Sequence, residues 1–162
     1  MNTRFRCVLS TVESDSHLWN LVYLQKLLEE HGASVHNLGT CTPVGTVADA
    51  IRADRPDLLV VSSVNGHGFH GAQVLLNALR ERGLEVPCAI GGKLTTAVSD
   101  DDRVRRELLA LGYTDVFLGE DAIERFRGFL RFGLAQGFSA WRADPALISP
   151  WDSAQAEPRE VS

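Results

Sequence analysis

Short, nearly unbroken apolar runs alternate along this chain with longer stretches whose apolar positions recur every three or four residues. The short runs are Arg4–Val12, Ser34–Leu38, Leu58–Ser63, Cys88–Gly91 and Asp115–Leu118, and they predict strands. Leu58-Leu59-Val60-Val61 is the plainest, an uninterrupted apolar segment of the kind a parallel sheet buries on both faces. Between the runs lie helical patterns. Leu18, Leu21, Val22, Leu24 and Leu28 form one stripe, closed by Gly32, a residue suited to end a helix. A second helix is predicted over Pro43–Ala53, with Val44, Val47, Ala48 and Ile51 inward and Pro43 near its start. A third covers Gly71–Glu81 and stops at Gly83. A fourth follows the acidic cap Ser99-Asp100-Asp101-Asp102 and ends at Gly112. Ile123, Phe126, Phe129 and Leu130 mark a fifth.

Five successive βα units predict an α/β fold. It is a single doubly wound, flavodoxin-like (Rossmann-like) parallel sheet of five strands in the order 2-1-3-4-5, with helices on both faces. Ligands in such sheets bind beyond the carboxyl ends of the strands, near the switch between strands one and three. The loops at that edge are Glu13–His17, Ser62–His70, Gly91–Ala97 and Leu118–Asp121. From about Gln136 the pattern fails. Trp141 and Trp151 are separated by Pro145 and Pro150, and Ala154–Ser162 is polar. The chain therefore divides into a domain over 1–135 and a partly disordered tail over 136–162. Removing everything after Gly133 is expected to leave the domain standing.

Composition narrows the function without choosing it. A chain of 162 residues with 44% hydrophobic and 23% charged content is one soluble globular domain with a real core. Net charge is −5, with arginines scattered, which argues against nucleic acid and anionic membrane as partners. The three cysteines, Cys7, Cys41 and Cys88, lack CxxC spacing and suit a reducing compartment. Neither an export signal nor a run of ~18 apolar residues is evident, so a cytoplasmic location is expected.

Candidate chemistry gathers on the ligand-side loops. Asp15-Ser16-His17 follows the first strand, and a carboxylate two residues before an imidazole suits a metal-ligating histidine. The carboxylate takes the proton on one ring nitrogen and leaves the lone pair of the other for a metal. The plainer reading makes Ser14, Asp15 or Ser16 a helix N-cap and His17 a first-turn residue. Ser62-Ser63-Val64-Asn65-Gly66-His67-Gly68 and Gly91-Gly92-Lys93-Leu94-Thr95-Thr96 are low-walled segments open to a flat ligand, or simply tight βα turns. His67, His70 and Cys41 form an alternative zinc set. Three occupants of this fold are disfavoured. No Thr/Ser-rich phosphate loop follows strand one, strand three ends in Ser62-Ser63 rather than Asp, and neither G-x-G-x-x-G nor G-x-x-x-x-G-K-[ST] occurs where a nucleotide needs it.

Taken together, these loops resemble those of the cobalamin-binding domains of carbon-skeleton mutases, most closely the small subunits of glutamate mutase (methylaspartate mutase). That family carries D-x-H-x-x-G after strand one, S-x-L or a variant after strand three, and GG after strand four. Here they read Asp15-Ser16-His17-Leu18-Trp19-Asn20, Ser62-Ser63-Val64 and Gly91-Gly92, and the similarity spans about residues 4–134. The resemblance implies adenosylcobalamin, with His17 as lower axial cobalt ligand and Asp15 hydrogen-bonded behind it. Ser14, Ser16 and Leu18 would flank the ligand. The displaced nucleotide tail would enter a crevice between strands one and three. Ser62, Ser63, Val64 and Gly66 would line it, Gly91 and Gly92 would give it width, Lys93, Leu94, Thr95, Thr96 and Ala97 would run along the tail, and Phe117-Leu118-Gly119 would close the far end. Two departures stand out: Asn20 replaces the family glycine and puts a side chain toward the tail, and Val64 replaces leucine at a cost of about 0.8 kcal/mol of contact.

The same resemblance implies a two-component isomerase that converts glutamate to 3-methylaspartate or acts on a related amino acid. This chain would hold the cofactor and no catalytic residue of its own. A larger barrel subunit would hold the substrate, in a heterotetramer of two small and two large chains. The alternative is a stand-alone cobalamin carrier or sensor. Such proteins carry a helical cap before the cobalamin fold, and a first strand starting at residue 4 leaves no room for one.

Overall fold

The computed structural model describes residues 3–140. Strands β1 (Phe5–Thr11), β2 (Ala33–Asn37), β3 (Leu58–Ser63), β4 (Cys88–Gly92) and β5 (Asp115–Phe117) form one parallel sheet in the order β2-β1-β3-β4-β5, as the sequence predicts. Helices α1 (Leu18–Glu30), α2 (Val44–Asp54), α3 (Gly68–Glu81), α4 (Asp101–Leu111) and α5 (Ala122–Gln136) connect and flank it, with a 3-10 turn over Val98–Asp100 before α4. No helix among the described residues is long and apolar enough to cross a membrane.

Period-two alternation explains why the strand runs are apolar throughout. Val8, Leu59, Val61, Ile90 and Val116 face α2, α3 and α4, whereas Leu9, Leu58, Val60, Ala89 and Phe117 face α1 and α5. Each of these strand residues is thus buried on one side or the other. The register then aligns Thr11, Ser62, Gly91 and Phe117 in a single row across β1, β3, β4 and β5. Every ligand-side loop leaves the sheet at or just beyond that row. Gly32, at φ +93°, turns the chain out of α1 toward β2.

Two boundaries differ from expectation. Helix α3 begins at Gly68, not Gly71, so His67 is its N-cap and His70 lies in its first turn. Gly68 is there to be crowded rather than to break the chain: a Cβ on it would lie 2.5 Å from Ser63 Oγ and 2.6 Å from Leu94. The fold also continues past residue 135. Gly137, at φ +88°, turns Phe138 back onto the sheet, where its ring is 6% exposed and lies 5.1 Å from Phe5 and 5.5 Å from Phe129 between centroids. Gly133 leaves room for that ring, since a Cβ there would sit 2.1 Å from it. The rest of the expected tail, with Trp141 and Trp151, lies outside the described residues. Deleting everything after Gly133 therefore removes a core side chain. We expect Phe138→Ala to cost about 3–5 kcal/mol in urea unfolding and the Gly133 truncation to cost at least as much. An unchanged midpoint in both would place Phe138 outside the core.

Candidate functional site

Asp15 stands where three loops meet. Its carboxylate is 1% exposed. Oδ1 accepts from the backbone N–H of His17 at 2.9 Å and lies 2.8 Å from His17 Nδ1, while Oδ2 accepts from the N–H of Val64 at 2.6 Å. Its carbonyl accepts from Cys41 N–H at 2.7 Å, with Cys41 turned into the left-handed region at φ +50° to deliver that bond. Burial pushes the carboxyl pKa up. The backbone donors of His17 and Val64, with the imidazole, outweigh it and hold the group below the usual carboxylate range. Asp15 is therefore ionised at neutral pH.

A negative charge against Nδ1 keeps the proton on that nitrogen. Nε2 of His17 then carries the lone pair, makes no hydrogen bond among the described residues, and belongs to a side chain 54% exposed. The plainer N-cap reading is not what forms. His17 is itself the N-cap of α1, without a side-chain capping bond, and the Asp15 carboxylate is spent on His17 and Val64.

Beside this pair opens a cavity of about 330 Å³ between α1 and α5. Its floor is β3 and β4 through Val60, Val61, Ser62, Ala89, Ile90 and Gly91, and its walls are Asn20, Tyr23 and Leu24 on one side and Ala122, Ile123 and Phe126 on the other. No β1 residue lines it: this cavity sits over β3 and β4, whereas the crevice expected for the tail lies between strands one and three. Gly91 and Gly92 belong to it for a reason beyond width. A Cβ at Gly91 would lie 2.7 Å from the Phe117 carbonyl and one at Gly92 2.1 Å from the Ser63 carbonyl, so both glycines keep neighbouring strands in register.

The predicted site residues divide between the two sides of the sheet. Ser62, Val64, Gly91, Gly92, Lys93, Phe117 and Gly119 line the cavity, as does Asn20. Ser14, Gly66, Leu94, Thr95 and Thr96 line a second, more open concavity of about 750 Å³ on the α2–α3 side. Only Lys93 of the Lys93–Ala97 segment lies along the cavity. At Leu94 the chain crosses to the other face, and that side chain, 1% exposed, is core. Ser63 is buried, with its hydroxyl on Asn65. Ser16 and Leu18 are exposed, and Ala97 is half-buried. The alternative zinc set is not assembled: no group of three His, Cys, Asp or Glu among the described residues could hold a metal. Burial pushes the Cys7 and Cys88 thiols up, which removes them as nucleophiles at neutral pH.

Comparison with known proteins decides the family. The model of the B12 binding domain matches residues 5–126. The chain belongs to the B12-binding domain family. Within it, the glutamate mutase sigma subunit of Halobacterium salinarum is 31% identical over 117 residues, covering 72% of this chain and 78% of that protein. Glutamate mutase sigma subunit 2 of Haloarcula marismortui is 30% identical over 127 residues, 76% of this chain and 86% of its own. At the level of the fold, the methanol:cobalamin methyltransferase complex MtaBC of Methanosarcina barkeri superposes with a TM-score of 0.63 at 21% identity, covering 83% of this chain and 48% of that one. The monomethylamine corrinoid protein of the same organism superposes at 0.57, with 22% identity over 78% of this chain and 57% of its own.

The B12-binding domain of this chain has the features a corrinoid needs. It offers an exposed imidazole nitrogen whose partner nitrogen is pinned by a buried carboxylate, and next to it a mostly apolar slot within the ~300–1,000 Å³ range of small-molecule sites. Sequence reading missed the walls Tyr23, Leu24, Ile123 and Phe126. Their signal was available, because Asn20, Tyr23 and Leu24 share one helix face at i, i+3 and i+4. Asp15 also sets a pH dependence. Its folded-state pKa is depressed, so its stabilising effect is present above the unfolded pKa of about 3.9 and is lost as pH falls through the folded value. Urea midpoints of wild type and Asp15→Asn should differ clearly at pH 7, and the gap should shrink as pH falls from the unfolded carboxylate pKa through the lower folded value. A gap that stays constant would mean Asp15 is not held as the anion.

Proposed function

We propose that this chain is the cofactor-carrying subunit of a two-component, adenosylcobalamin-dependent carbon-skeleton mutase of the glutamate mutase type. The carrying observation is the Asp15–His17 pair: a buried anion 2.8 Å from Nδ1, and at the carboxyl edge of the sheet an Nε2 with no hydrogen bond among the described residues. His17 would hold the cobalt through Nε2. Asp15 holds the proton on Nδ1 and keeps the ring aimed, leaving Nε2 for a metal. The cavity between α1 and α5 takes the displaced nucleotide tail and shields it from water, with Asn20 and Lys93 offering polar groups at its lining. When bound, adenosylcobalamin supplies radical chemistry by homolysis of its cobalt–carbon bond.

The chain's own contribution ends at holding the cofactor. A corrin laid on the loop edge would present its adenosyl face outward, and radical chemistry there requires exclusion of water. The covering surface comes from a larger, substrate-holding barrel subunit, in a heterotetramer of two small and two large chains, with glutamate or a related amino acid as substrate. Trp19, 80% exposed, and Leu18, 53% exposed, sit directly after His17 on the N-terminal turn of α1 and form an apolar contact for that partner together with Asn65–His70 and Thr95–Ala97.

Two measurements test this reading. In optical titration with cobalamin, wild type and His67→Ala should both give the histidine-coordinated, base-off spectrum, and His17→Gly should lose it; Asp15→Asn should weaken binding about 10–100-fold. An unchanged His17→Gly spectrum would remove His17 as the ligand. For the partner, isomerase activity should be absent from this chain with cofactor and substrate and appear when the larger subunit is added. Turnover by this chain alone would contradict the two-component reading.

A further inference from the structure

Asn65 uses its two amide atoms on two different loops. Oδ1 accepts from His67 N–H at 2.9 Å and from Ser63 Oγ at 3.3 Å, which closes the β3–α3 loop on itself. Nδ2 reaches across to the β1–α1 segment and donates to the Ser14 carbonyl at 3.0 Å and to Ser14 Oγ at 3.2 Å. Its neighbour Val64 donates to Asp15 at 2.6 Å. Consecutive residues of one loop therefore grip consecutive residues of the other, at a sequence separation of 51 for Asn65 and 49 for Val64.

The gripped segment needs this. Between the end of β1 at Thr11 and the start of α1 at Leu18 the chain has no ladder or helical bonds, and α1 begins without a side-chain cap. Asp15 has its own carbonyl on Cys41 and its N–H on Val12, but rotation of the Ser14–Asp15 unit about those two bonds would swing the carboxylate off Val64. The Ser14 carbonyl is the third fixed point. We propose that Asn65 is a positioning residue for His17: by fixing Ser14 it sets the orientation of Asp15 and, through Asp15, the direction in which His17 Nε2 points. This inference rests on His17 being the cobalt ligand. Asn65 does not itself line the cavity, and the imidazole's hydrogen bond among the described residues is to Asp15 rather than to Asn65.

The test separates the donor from the acceptor. Asn65→Asp keeps an oxygen for His67 and Ser63 and removes both donations to Ser14, and Asn65→Ala removes all four bonds. The full chain is saturated with cobalamin, and the ratio of histidine-on to histidine-off species is read from the optical spectrum, alongside the thermal midpoint without cofactor. A role in folding alone would lower the midpoint and leave the spectrum of the bound species unchanged. We expect both variants to bind cobalamin and to lower the histidine-on ratio by about tenfold, as loss of one net hydrogen-bond contribution implies. If Asn65→Ala fails to fold, Asn65→Asp decides alone. A wild-type ratio in Asn65→Asp overturns the positioning role even if Asn65→Ala changes it. Absence of histidine coordination in the wild type itself would show that the underlying ligand assignment had failed, and the inference with it.

Discussion

The ligand edge of this domain depends on one buried anion. An ionised carboxylate at 1% exposure is costly unless nearly every lone pair is used, and Asp15 uses its oxygens on two backbone N–H groups and an imidazole. Those partners come from the loops after β1 and β3, and the loop after β2 adds a fourth bond through the Asp15 carbonyl. The same bonds that make the charge tolerable also join loops that nothing in the sheet joins. Tautomer, ring orientation and loop geometry at His17 therefore follow from one set of contacts. Loss of the charge would disturb all of them together.

The sheet decides what surrounds that centre. Because its central strands are buried on both faces, the carboxyl edge is narrow, and the row Thr11, Ser62, Gly91, Phe117 marks where chain leaves core. On the α1–α5 side the edge opens into the 330 Å³ slot, with β3 and β4 as its floor. Toward α2 and α3, Leu94 packs into the core and a separate, more open concavity of about 750 Å³ is lined in part by Thr11, Ser14, Thr42, Thr95 and Thr96. A ligand that reaches both the imidazole and the slot has one part on the loop edge and another within the sheet layer.

Much of this was legible in the chain because periodicity reports burial directly. Leu58-Leu59-Val60-Val61 could only be a strand covered on both sides, and five such units leave few topologies. The Asp15–His17 pair was legible because its partners are two residues apart. What failed to show was whatever depends on distant residues. Gly68 reads as loop punctuation until Ser63 and Leu94 are seen against it. Phe138 follows a glycine that looks like a terminus, and only Phe5 and Gly133 reveal it as core. The side of the sheet to which Leu94, Thr95 and Thr96 turn is set by a single crossing of the chain, and no composition or spacing encodes it. Asn65 reads only as one member of the Ser62–Gly68 loop, since its partner Ser14 lies 51 positions earlier.

The central claim is that Asp15 delivers His17 Nε2 to cobalt. It is tested most directly by electron paramagnetic resonance of the protein bound to cob(II)alamin, prepared once with ordinary nitrogen and once with 15N-labelled histidine. Coordination by a protein imidazole predicts that each cobalt line, split into three by 14N, collapses to two on labelling. Lines that remain three-fold in the labelled protein would mean that the cofactor's own base still occupies the lower position, which would contradict the assignment of His17.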